Sequence, residues 1–373
     1  MRTGFSRLAP LFFVLGTWVG AAGATAASPS PALLKAKQEA EAKGFIFETS
    51  HDDMVAKAKK EGKLRVLSSM DAAVLSPMVD LLKRKYPFID VHAEEVSGSE
   101  AQQRLLLELK AGAATNWDAT EASEDWYNEY PPYLKKFDIL GMAEQGVLAI
   151  NPRMVDPNNR NIVSMSSTLY SVAYNRKLLS PDKAPNSWED FLKPEFKGRK
   201  FIADIRPFGM AALVPLMGEE WVRDYAKKIA AQQPIWVRGQ SRGLTAIAAG
   251  EYFLSKLAYW HSCMGAAAKD PTGSLVCKVI SPTPARLANT DAVLKTAASP
   301  YSALLWLEAA ASREGQKIID DYYPLKSNLF GQGKTAEAIK GLKVSVIDFG
   351  SLQKLRQWMD MIVAAYGFPK AQK

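Results

Sequence analysis

Apolar residues recur along this chain in two alternating rhythms, and the switches between them mark out its elements. Residues 27–62 are rich in Ala, Lys and Glu, with apolar positions at helical spacing through Met54, Val55 and Ala58, which predicts a helical lead-in on the surface. Leu64-Arg65-Val66-Leu67 has the short apolar character of a strand, Ser68-Ser69-Met70-Asp71 that of a loop, and 74–86 returns to a helical period until Pro87 ends it. The cycle repeats with Ile89-Asp90-Val91-His92-Ala93 as a strand and Val96-Ser97-Gly98-Ser99 as a loop. Ser99 and Gln102 then have capping-box spacing, and 104–111 is rich in helix formers.

A third unit closes near Ala119-Thr120-Glu121-Ala122. Residues 151–161, dense in Pro, Asn and Asp, read as a surface loop, and Leu169-Tyr170-Ser171-Val172-Ala173-Tyr174 as a strand placed to pass from one lobe into another. Strands at 200–203, 235–237 and 257–260 restart the pattern, with Gly250 ending a helix at 244–249. Helical segments at 302–314, 315–321 and 352–366 are expected to return and complete the first lobe. Alternation of this kind predicts an α/β fold of mostly parallel sheets flanked by helices. The 373 residues exceed what one core serves, so two lobes are expected: 63–170 with 286–373, and 171–285.

The opening residues change the picture of where the chain works. Arg2 and Arg7 frame the start of the apolar run Leu8-Ala9-Pro10-Leu11-Phe12-Phe13-Val14-Leu15, and Ala24-Thr25-Ala26 supplies a small-residue cleavage site. Together they predict a cleaved signal over 1–26 and a periplasmic, soluble mature protein. The formal charge of +8 becomes about +6 once Arg2 and Arg7 are removed, and its spread along the chain, without a Lys/Arg block, speaks against nucleic acid as a partner. Cys263 and Cys277, the only cysteines, are expected to form a disulfide in an oxidising compartment. A metal pair or reactive thiol would call for Cys-x-x-Cys spacing and more imidazoles than the neighbouring His261. Nucleophile-elbow, phosphate-loop and zinc-helix motifs are absent, which leaves a secreted hydrolase only as a distant alternative; neither an enzyme nor a cofactor is expected.

Five stretches carry a resemblance to a known family. They are Glu61-Gly62-Lys63-Leu64-Arg65-Val66-Leu67-Ser68-Ser69, Tyr174-Asn175-Arg176-Lys177-Leu178-Leu179, the segment from Pro185-Asn186-Ser187-Trp188 through Leu192-Lys193-Pro194-Glu195-Phe196-Lys197-Gly198, Ala249-Gly250-Glu251, and Ser312-Arg313-Glu314-Gly315-Gln316. In these the chain resembles the extracellular solute-binding proteins of ABC importers, in the cluster that includes the ferric-ion-binding proteins. The resemblance implies the type 2 periplasmic-binding-protein fold: two lobes joined by crossing strands, with the ligand in the cleft between them. It implies a monomer that hands a small solute to a membrane permease. It leaves the solute open among ferric ion, organic phosphates and phosphonates, thiamine and other small molecules.

In open α/β sheets the ligand lies beyond the carboxyl ends of the strands, where helix N-termini favour anions. The loops 68–71, 97–99, 206–209 and 239–242 meet that description, which nominates Ser69, Asp71, Ser97, Ser99, Arg206, Ser241 and Arg242 as ligand contacts, the arginines as two-pronged partners of an oxyanion. Glu124, Tyr170 and Tyr259 complete the set, the tyrosines as surfaces on which an organic solute could stack. Ferric-binding relatives place an adjacent Tyr pair in the second lobe; here the matching stretch reads Ala258-Tyr259-Trp260-His261-Ser262, so an iron site would draw on Tyr259.

Overall fold

The computed structural model describes residues 29–368 except Thr115 and Gln240; the expected signal at 1–26 lies outside the described residues. Ten strands form it: β1 (Lys63–Ser68), β2 (Asp90–Glu95), β3 (Ala119–Glu121), β4 (Ile162–Asn175), β5 (Phe201–Asp204), β6 (Ile235–Val237), β7 (Leu254–Tyr259), β8 (Leu275–Lys278), β9 (Thr283–Val293) and β10 (Val344–Ile347). Their order is β2-β1-β3-β9-β4-β7-β5-β6, with β8 on β4 and β10 on β9. The strand-loop-helix units pair in parallel, β1 with β2 and β3 in one lobe and β5 with β6 and β7 in the other.

Two antiparallel strands tie the lobes together. β4 pairs with β9 from Ile162 to Leu169, then with β7 and β8 from Tyr170 to Asn175, so one strand serves both sheets. It is buried along its whole length. Its serines therefore need partners within the protein: Ser164 Oγ donates to the Ala288 carbonyl at 3.0 Å, and Asn328 Nδ2 donates to the Ser164 carbonyl at 2.8 Å.

Two expectations are corrected here. The lead-in is not confined to the surface: Met54 and Ala58 of the helix His51–Glu61 are wholly buried in the first-lobe core against the helix Pro300–Ala311. Glu61 locks the two together, accepting from Ser302 N at 2.7 Å and Tyr301 N at 3.1 Å and so satisfying orphan donors of the second helix. Of the C-terminal helices, Pro300–Ala311 and Arg313–Tyr322 do return to the first lobe, but the last segment does not. β10 joins β9 at its beginning, Thr283 to Arg286, and the helix Leu355–Tyr366 packs on Glu219–Ala231 of the second lobe. Trp358 Nε1 donates to Glu219 Oε1 at 2.8 Å and Ile362 is fully buried there. Periodicity showed an amphipathic helix but carried no information about which lobe would cover its apolar face.

The second-lobe core explains the stretch around Trp188. That side chain is 1% exposed and donates through Nε1 to the Pro282 carbonyl at 3.0 Å, while Phe191, Phe196 and Phe201 pack beside it. Cys263, in the helix Trp260–Lys269, is joined to Cys277 of β8.

Candidate ligand-binding cleft

A cleft of about 460 Å³ opens between the lobes where β4 and β9 cross. Its floor is Ser69, Glu121, Arg286, Asn289 and Lys326; Ser99, Gln102, Glu124 and Asp125 form the first-lobe wall. The facing wall comes from the loop after β5 (Ile205, Arg206, Phe208), from Arg238 and Tyr259, and from Arg356, Met359, Asp360 and Val363 of the last helix. A side chamber of about 290 Å³ shares Ser69, Asn289 and Lys326 and adds Asp71, Glu95, His261 and Tyr323.

Charge is unevenly distributed over the floor. Arg286 forms an ion pair with Glu124, and both side chains are 13% exposed. The Arg286 Nε finds no acceptor among the described residues. Burial pushes the Lys326 amine down to about 7, Arg286 adding to the effect; the Nζ donates to the neutral Thr168 Oγ1 at 2.8 Å. Glu121 and Asp291 stand opposite each other in the β3–β9 register, and burial raises both carboxyls, with their mutual repulsion adding to it for Asp291. Asp360 is engaged by Arg356 at 3.2 Å on the rim. In all, five basic side chains (Arg206, Arg238, Arg286, Lys326 and Arg356) line the cleft against four acidic ones (Glu121, Glu124, Asp125 and Asp360), and Arg206 lies 4.0 Å from Asp204. Asn289 holds the crossover in a left-handed conformation (φ 48°), its Nδ2 donating to Ser69 Oγ at 2.6 Å.

Of the residues nominated from sequence, Ser69, Ser99, Glu124, Arg206 and Tyr259 all line the main cleft, and Asp71 lines the side chamber. Tyr170 lies behind the wall: it is 1% exposed, its ring 5.4 Å from that of Tyr259, and a Cβ on Gly209 would stand 2.7 Å from its Cδ1. Gly209 is thus required for packing the loop onto Tyr170. Ser97 and Arg242 are exposed and line neither cavity, because the chain turns away at Gly98 and because Arg242 already belongs to the first turn of the helix Ser241–Ala249. The side chain of Ser241 lies outside what is described. The capping box also gives way. Gly98 is the N-cap, Ser99 donates to Asp125 Oδ2 at 3.3 Å, and Gln102 donates to Glu121 Oε2 at 2.9 Å while accepting from Ser123 Oγ at 2.8 Å. Both side chains are turned to the cleft.

The sequence did not nominate Arg286, Lys326 and Asn289, nor the cleft-lining side chains of the expected last helix. No local signal marks the first three, which sit on or against crossing strands whose role only the topology reveals. His261, neutral because burial pushes it down to about 2, stacks on Tyr259 at 5.7 Å and meets Tyr323 edge-on at 6.1 Å.

Comparison with known proteins settles the family. Residues 133–354 match the family model described as bacterial extracellular solute-binding protein. The chain belongs to this family. Its working place is therefore outside the cytoplasm, and its ligand a solute. No curated protein matches the chain by sequence. Solved structures share the fold at low identity: iron-bound HitA from Pseudomonas aeruginosa (16% identical, TM-score 0.58, 81% of this chain and 99% of that one), the Trichodesmium IdiA/FutA protein in complex with iron and citrate (17%, 0.64, 82% and 99%), and the Atu4243 GABA receptor (14%, 0.63, 83% and 99%). Identities of this size carry the type 2 periplasmic binding fold and nothing about the solute.

Proposed function

We propose that this solute-binding protein captures a small organic anion between its lobes and delivers it to an ABC permease, acting as a monomeric periplasmic carrier without catalytic chemistry. The basic groups around the crossover support this reading: the Lys326 amine donates to a hydroxyl, the buried Arg286 keeps an unused Nε, and Arg206 and Arg238 stand on the facing wall. An oxyanion entering there would gain charge-assisted hydrogen bonds in a site that water leaves on closure. Ser69, Ser99, Arg206 and Tyr259 are the nominated residues best placed to touch it.

A thermal-shift panel of phosphonates, phosphate esters, carboxylates, amines and ferric citrate tests the reading, since a ligand specific to the folded state raises the melting temperature by mass action. Stabilisation by one anion class is expected. A large shift with ferric citrate alone would replace it with the ferric reading and make Tyr259 a metal ligand.

A further inference from the structure

The cleft has two kinds of surface. Arg286 and Lys326 supply the charge at the crossover, whereas the second-lobe wall adds to its Arg206, Arg238, Arg356 and Asp360 four apolar side chains, Ile205, Phe208, Met359 and Val363. The two surfaces meet at Phe208, whose ring centre lies 5.3 Å from the Arg286 guanidinium. Met359 and Val363 are four residues apart, one above the other on the helix Leu355–Tyr366. That helix is held from its other side by buried Trp358, Ile362 and Tyr366, so the pair is presented on a fixed support. Val363 is 37% exposed, an apolar side chain left at the rim of a polar cleft. The helix begins just past residue 354, where the family match ends, so Met359 and Val363 lie beyond the matched segment while Ile205 and Phe208 lie within it. A cavity of about 460 Å³ is also far larger than an oxyanion group alone and falls in the range of organic-ligand sites.

We propose that the last helix sets solute specificity: Met359 and Val363, with Ile205 and Phe208, receive the apolar part of an amphiphilic anion, an alkyl or aryl phosphonate or carboxylate, whose charged group rests on the cationic floor. The proposal rests on the anion reading above and adds the class of anion.

Titration calorimetry with methyl-, butyl- and phenylphosphonate and the matching carboxylates tests it on the full mature chain and on the Val363→Asn and Met359→Gln variants. In wild type, affinity should climb with tail length, by roughly fourfold for each methylene that becomes buried. The variants should bind the one-carbon anions as wild type does and lose most of the climb. Unchanged melting of Val363→Asn, expected from its exposure, separates this from unfolding. If wild type binds every member of a series equally, the apolar wall faces the first lobe on closure, and the proposal falls while the anion reading stands. If no member of either series binds, the anion reading falls and takes the specificity wall with it.

Discussion

Lys256 and Lys326 are both enclosed amines that burial pushes down to about 7, yet they sit in regions built for different ends. Lys256, on β7 in the second-lobe core, is 1% exposed; its Nζ has no hydrogen-bond partner among the described residues, lies 5.0 Å from the centre of the Tyr225 ring, and borders a void of only about 20 Å³. Lys326 lies at the crossover, keeps a hydroxyl partner, and opens onto both the main cleft and the side chamber. The same desolvation cost is incurred twice, but only at the crossover can an incoming anion offset it. Burial of a charge thus marks a binding site only where the cavity beside it admits a ligand.

Five experiments break or sharpen that contrast. The largest effect is expected in the core: Trp188→Ala removes a fully enclosed indole and its bond to Pro282 and should destabilise the protein by about 3–5 kcal/mol in denaturant unfolding. Affinity measured on the folded fraction should be unchanged. Next, Lys326→Met should weaken the anion by about 1.5–3 kcal/mol, roughly tenfold or more in calorimetric Kd. Wild-type affinity from Lys326→Met would separate the floor from ligand binding. Lys256→Met should do the reverse, raising stability by about 1 kcal/mol or more at pH 7, because an unpartnered amine is exchanged for an apolar chain of similar length, with no change in Kd.

The smallest effects are in pH dependence. The folded value of Lys256, about 7, lies below its unfolded value of about 10.4, so between these the unfolded chain binds the extra proton and wild-type stability rises with pH. The advantage of Lys256→Met should therefore shrink from pH 7 to 10 in parallel melts; a constant advantage would mean that the buried amine keeps its proton over that range, as the unfolded one does. Anion affinity should move the other way, falling as pH rises above 7 and Lys326 gives up its proton. Titrations in buffers of different ionisation enthalpy should then show net proton uptake on binding.

Much of the fold was legible because it is written in local periods. The units through β1, β2 and β3, the crossing strand at 169–174, the stop at Gly250 and the Cys263–Cys277 pairing all follow from spacing, composition and compartment. Cleft residues at strand ends were legible for a related reason: a parallel sheet gathers its strand-to-helix loops on one edge, which brought Ser69, Ser99 and Arg206 together. Ser97 and Arg242, nominated on the same ground, line neither cavity, a placement that no composition reveals. Ser99 and Gln102 show the opposite error, since their spacing satisfied a helix cap while their side chains serve the cleft wall.

By itself the sequence determined the alternation of strands and helices, two lobes and the family, because these depend on neighbours within about a dozen residues and on motifs that stay contiguous. Tertiary structure alone decided that Arg286, Asn289 and Lys326 meet under the cleft, that Glu121 faces Asp291, and that the last helix turns Met359 and Val363 to the ligand wall. Each of those depends on strand register and on the lobe a helix chooses to cover. Register and docking are settled by contacts between residues tens to hundreds of positions apart, and such contacts leave no local period to read.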